Sequence, residues 1–146
     1  MLTSEPKISD VSLDGFQVVN SLYFSRVLEP TMTLFKTAIS FSLSSLNALQ
    51  GCESVHILVN ESAKTMLIRP CSTKDPNAVV WNKNCKKHSA NRIECTAFAR
   101  QIYESWGLNP DVRYKAPGKL VQAEKKVMLL FDFNHCEAWM GNKVVK

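Results

Sequence analysis

Glycine is scarce, with five in 146 residues, which leaves little material for loops that press backbone N–H groups against a phosphate. The chain contains no G-x-x-x-x-G-K-[ST] run, no G-x-S-x-G elbow and no H-E-x-x-H helix, so the common signatures of nucleotide hydrolysis, serine acyl transfer and zinc proteolysis are missing. Long apolar runs are missing too. The longest is VMLLF at 127–131, far short of the about 20 residues that span a bilayer as a helix. The opening MLTSEPKISD lacks the basic start and apolar block of a signal peptide, so a cytoplasmic location and no membrane partner are expected. Cysteines stand at 52, 71, 85, 95 and 136. Their odd number and lack of paired spacing argue against a disulfide framework and for free thiols in a reducing compartment.

What is present suits one folded unit. Hydrophobic residues make up 45% and charged residues 21%, and a chain of this length buries a core without staples. A single domain over 1–146 is expected, loose at 1–10 and 141–146, with sub-units 31–72 and 92–140 joined by a basic loop at 73–91. The net charge of +5 is unevenly spread: residues 1–73 hold five Lys or Arg against six acids, residues 74–146 thirteen against seven. A basic half favours an anionic partner through long-range attraction.

Hydrophobic periodicity outlines the elements. GFQVV (15–19), TMTLFK (31–36) and AISFSL (38–43) read as strands, and SSLNALQG as a short helix that Gly51 ends in left-handed geometry. SVHILVN and TMLIRP form a hairpin around Asn60, Glu61 and Ser62, closed by Pro70. No period holds from Cys71 to Asn91. RIEC reads as a strand, and TAFARQIYESWG as a helix with Phe98, Ile102 and Trp106 on one side, Thr96 as its cap and Gly107 as its stop. VRYKAPGKLVQ and KVMLLFDF are strands joined by Glu124, Lys125 and Lys126, with Pro117-Gly118 marking a bulge or an edge strand. FDFNHCEAWM adds a short strand, and GNKVVK is a loose tail. The order strand, helix, hairpin occurs over 39–70 and again over 93–133, offset by 54 at the strands. The fold expected is therefore α+β: a mainly antiparallel sheet with two helices on one face and a strand-helix-hairpin pseudo-repeat.

The stretch WNKNCKKHSANR (81–92) carries Lys83, Lys86, Lys87 and Arg92 and no acid. It can contact phosphates while Trp81 stacks on a base, or it can be a solvated connector with Trp81 packed beneath it. In VRYKAPGK, alternation puts Arg113, Lys115 and Lys119 on one strand face and Val112, Tyr114 and Ala116 on the other, with Lys125 at the turn. Such a ribbon fits a groove of duplex DNA, or is an edge kept soluble by its lysines.

Cys85-x-x-His88 with Cys71 and Cys95 has the right ligand types for zinc, but a second short pair is missing, so no metal and no cofactor are expected. Asp132, Asn134, His135, Cys136 and Glu137 crowd together, yet neighbours on a strand point to opposite faces. A non-enzymatic role is expected.

The stretches SLDGFQVV, ILVN, LIRPCSTKDPNAVVW and GKLVQAEKKVMLLFDFNHCEAW together resemble small proteins carried by prophages and integrative mobile elements of gut bacteria, over residues 10–140. The resemblance implies a setting in which small basic proteins bind DNA or assist a recombinase, or bind a host or element protein. It carries no catalytic residues across. The expectation is a DNA-binding accessory or regulatory protein using Trp81, Lys83, Lys86, Lys87, Arg92, Arg113, Tyr114, Lys115, Lys119 and Lys125. The alternative is a protein-binding module, a subunit or inhibitor of a larger partner such as a recombinase or host factor.

Overall fold

The computed structural model describes residues 8–19, 29–82 and 91–145. Among them are ten strands and two α-helices in the order β1 (Thr31–Leu34), β2 (Ala38–Phe41), α1 (Leu43–Ala48), β3 (Ser54–Asn60), β4 (Thr65–Cys71), β5 (Val79–Val80), β6 (Asn91–Glu94), α2 (Thr96–Ser105), β7 (Arg113–Ala123), β8 (Lys126–Asp132), β9 (Glu137–Met140) and β10 (Lys143–Val145). All strand pairings are antiparallel. The strands form one curled, half-barrel sheet in the order β5-β3-β4-β8-β7-β1-β2-β6, with β9 beside β7 and β10 beside β9. No helix among the described residues is long and apolar enough to cross a membrane.

Alternation along the strands decides which face is buried. Met32 and Leu34 of β1, Ile39 and Phe41 of β2, Val55 of β3, Met66 and Ile68 of β4, and Leu129 and Phe131 of β8 all enter one core. Leu46 and Leu49 of the α1 turn, and Ile102, Tyr103 and Trp106 of α2, enter the same core. Phe41 sits at its centre, edge-on to Trp81 at 5.1 Å and tilted against Phe131 at 5.9 Å.

Serine chemistry starts α1 earlier than the sequence pattern suggests, at Leu43, inside the expected strand 38–43. Ser42 adopts extended geometry and its side chain accepts from the Ser45 N–H, satisfying one of the donors a helix start leaves open. The Ser45 hydroxyl donates to the Thr31 carbonyl at 3.0 Å and so ties α1 to β1. At the other end Gly51, with φ of 67°, donates to the Leu46 carbonyl. After α2 it is Gly107, with φ of 62°, that takes the left-handed turn, and the next residue, Leu108, donates to the Tyr103 carbonyl. The N-cap of α2 is Cys95, which makes no side-chain capping bond, so Thr96 is the first helical residue and not the cap.

Four expectations are corrected. GFQVV forms no strand: residues 16–19 have no ladder partner among the described residues, and Val18 is 100% exposed. The second hairpin strand runs past Pro70 to Cys71. The tail holds a strand that the sequence reading did not give, Lys143–Val145, which pairs with β9 as β10. Pro117 neither bulges nor lies on an edge, because β7 is an inner strand.

The proline is tolerated for a specific reason. On one side of β7, residues 113–115 pair with β9 and 118–123 with β8, so Pro117 lies at the gap between these two neighbours. The Gly118 N–H points the other way, to Pro30. Alternation then aims the Pro117 nitrogen at the gap, where a missing donor breaks no ladder bond. Gly118 is needed beside it, because a Cβ there would stand 2.5 Å from the Phe131 ring.

Candidate nucleic-acid interface

The register of the sheet brings separated cations onto the face opposite the core. Arg92 of β6 lies across from Ser40 of β2, Ser40 from Thr33 of β1, Thr33 from Lys115 of β7, and Lys115 from Glu137 of β9. Residues directly opposite each other share a face, so this is one continuous row. It unites the end of the basic stretch with the cationic strand. Arg113, two residues before Lys115, lies across from Trp139.

Two aromatic rings support the arginines. The Arg92 guanidinium lies 4.6 Å from the Phe35 ring centre and that of Arg113 lies 5.7 Å from Trp139, both within range of a cation–π attraction. Together with Lys36, Thr37 and Asp111 these residues line a groove of about 330 Å3. Sequence reading did not find Phe35 or Trp139. The signal for Trp139 was its register with Arg113, which no local pattern states.

Acids temper the charge of this face. Arg92 Nε bonds Glu94 Oε1 at 2.7 Å, so its charge is partly met. Glu137 lies across from Lys115, and its carboxylate accepts from the Trp139 indole at 3.0 Å. Among the described residues, Arg113, Lys115, Lys119 and Lys125 have no carboxylate within 4.0 Å.

Lys119 continues the same face of β7, six residues or about 20 Å from Arg113. The strand then runs into a two-stranded ribbon. Its last rungs, Val121↔Met128, Gln122↔Val127 and Ala123↔Lys126, lie beyond the stretch of β8 that pairs with β4. Glu124 and Lys125 form the turn with φ of 51° and 65°, the left-handed pair of a type I′ hairpin in residues that adopt it at a cost. Lys125 and Lys126 are exposed at the tip.

Two of the expected residues are elsewhere. Trp81 is 0% exposed and donates its indole N–H to the Cys52 carbonyl at 2.7 Å. It is a core anchor whose ring has no face to offer a base. Tyr114 points to the core side, edge-on to Tyr103 at 5.9 Å, and its hydroxyl accepts from the Asn109 N–H at 3.0 Å. Lys83, Lys86 and Lys87 lie outside the described residues, as do Cys85 and His88.

The FDFNHCE cluster is built as a turn. The Asp132 carboxylate accepts from the backbone and side chain of Asn134, and these bonds hold its pKa below the usual carboxylate range. His135 is exposed, 3.8 Å from Asp132. Burial pushes the Cys136 thiol up, which disfavours the thiolate a nucleophile needs. The thiols of Cys52, Cys71 and Cys95 are pushed up as well, chiefly by burial.

Compared with known proteins, the chain matches no family model, no curated protein and no solved structure.

Proposed function

We propose that the protein binds DNA through the outer face of β7 and the β7–β8 ribbon, as an accessory or regulatory protein of a mobile genetic element. One observation carries this reading: Arg113, Lys115 and Lys119 share a strand face, Lys125 crowns its turn, and none of the four has a carboxylate within 4.0 Å among the described residues. Cations held in a line at strand spacing suit a phosphate backbone, and a two-stranded ribbon fits the about 12 Å width of the major groove. The contacts are to phosphates, so affinity falls with salt and depends little on sequence. Titrating duplex DNA in a gel-shift assay at two salt concentrations tests it. Binding that holds its strength at the higher salt overturns it.

A second reading, a module that binds a larger protein, has its own observation. Ile8, Val11, Leu13, Phe16 and Val18 are between 71 and 100% exposed, an apolar segment of a kind that partners cover. Purification from the native host after nuclease treatment separates the two readings, since a stoichiometric protein that persists favours the second.

The fold itself is read as a duplicated unit of two strands, a helix and a hairpin, with the two helices on one face. Exchanging β1 with β5, β2 with β6, β3 with β7 and β4 with β8 turns every neighbouring pair in the sheet order into itself or another observed pair, except β1–β2. Ile39 and Ile93, 54 positions apart, are then both equivalent and directly paired. Ile68 and Leu129 stand in the same relation across β4 and β8. The unmatched image is β5–β6, the pair that would close the half-barrel.

A further inference from the structure

We propose that His56, Cys71 and Asp75 form a site for a divalent metal ion of the zinc class. One ligand atom from each lies within 4.8 Å of the other two. The β3–β4 register creates the arrangement: His56 lies across from Arg69, and Cys71 follows two residues along on the same face. Asp75 comes from the turn after β4, where its carboxylate is held by the Ser72 N–H at 2.9 Å. A tetrahedral site with ligands at about 2.0–2.3 Å holds its donors about 3.3–3.8 Å apart. Small side-chain rotations supply the remaining approach; of the three residues Asp75 is the exposed one.

The histidine is prepared for this role. Arg69 can only donate, and its guanidinium meets His56 Nδ1 at 2.9 Å. Nδ1 therefore carries the lone pair, and Nε2–H donates to the Pro76 carbonyl at 2.8 Å. A backbone carbonyl on the second ring nitrogen is the support that metal-binding histidines receive. With Nε2 held by the Pro76 carbonyl, an ion would be taken at Nδ1, so binding displaces Arg69 from that nitrogen, and the Cys71 thiol gives up its proton to solvent. A mixed nitrogen, sulfur and oxygen set selects zinc or cobalt over magnesium or calcium. Three protein ligands leave a fourth place for water. The sequence concealed the site because His56 and Cys71 are 15 positions apart and meet only across the hairpin.

The test is titration of the metal-free full chain with Co2+, followed by its visible bands and by the thiolate-to-cobalt charge-transfer band. One equivalent is expected to bind with both features present. Cys71→Ser should abolish the charge-transfer band, and His56→Ala should weaken binding by about tenfold or more. Arg69→Gln should tighten binding several-fold, because the competing cation is gone, a result that loss of structure could not give. Cys52→Ser and Cys85→Ser should leave the band unchanged. The proposal is overturned if folded wild-type protein gives no charge-transfer band, if Cys71→Ser keeps it, or if Cys85→Ser loses it. None of these readouts depends on DNA, so the site stands or falls apart from the proposed function.

Discussion

The indole N–H of Trp81 reaches the carbonyl of Cys52 at 2.7 Å, and this bond fastens the start of the basic stretch to the chain just before β3. The Trp81 and Asn82 backbone N–H groups both point to the Glu53 carbonyl, and the Asn82 side chain donates to the Gly51 carbonyl at 3.0 Å. The stretch is thus anchored at its first two residues, Trp81 and Asn82. Trp81→Ala should cost about 3–5 kcal/mol of stability, the range for removing a buried aromatic. Trp81→Phe should cost less while leaving salt-dependent DNA affinity unchanged. Chemical denaturation and a gel shift of the same variants check both; a selective loss of DNA affinity in folded Trp81→Phe would restore the stacking role.

Gly118 packs its backbone directly against the Phe131 ring. A methyl group there meets Phe131 Cε1 at 2.5 Å, and Phe131 is fully buried against Phe41, so the ring has little room to retreat. Gly118→Ala should destabilise by about 1–3 kcal/mol, the usual cost of overpacking. Melting temperature and urea midpoint are the measurements, and an unchanged midpoint would show that the ring yields freely.

Tyr103 links α2 to the end of β1 and to the residue before β7: its hydroxyl lies 3.0 Å from the Leu34 carbonyl and 2.7 Å from that of Val112. Burial pushes its pKa above the ordinary phenol value. The folded state therefore favours the neutral form more than the unfolded state does. Its contribution is whole below the unfolded value of about 10 and is lost as pH rises beyond it. Tyr103→Phe should cost about 1–3 kcal/mol near neutrality, since a buried acceptor loses its donor. It should also flatten the fall in stability above pH ~10. Denaturation curves across that range, wild type against variant, decide the point.

The parts of this architecture that the sequence declares are those set by neighbours along the chain. In the β3–β4 hairpin, Val55 and Ile57 alternate with polar residues and the turn follows at 61–64. The 3.6-residue spacing of Ala99, Ile102 and Trp106 declares α2 in the same way. What stayed hidden depends on distant pairings. GFQVV has the residues of a strand but no partner among the described residues, and β-propensity describes a fit to a neighbouring surface more than an intrinsic preference. Pro117 reads as an edge signal unless one knows that β7 changes partners beside it. The site divides along the same line. The shared face of Arg113, Lys115 and Lys119 follows from alternation alone, whereas the convergence of Arg92 with Lys115 passes through β2 and β1. Trp81 and Trp139 could not be assigned to core and surface without knowing that Phe41 packs against one and Arg113 lies over the other.

Removing single cations gives the proposed DNA-binding face its most specific check. Each phosphate contact releases about 0.9 counterion, so Arg113→Gln, Lys115→Gln or Lys119→Gln should each lower affinity for any duplex and flatten the log K against log salt line by about one unit. Lys143→Gln, on β10, is the matched control with the same change in net charge. Arg92 is partly met by Glu94, so Arg92→Gln should change the slope by less than Lys115→Gln, and Glu94→Gln should strengthen binding by freeing the guanidinium. Because the contacts are to phosphates, the losses should be alike for unrelated sequences. If Arg113→Gln, Lys115→Gln, Lys119→Gln and the control Lys143→Gln all shift the slope equally, net charge and not this face drives association, and the proposed interface fails.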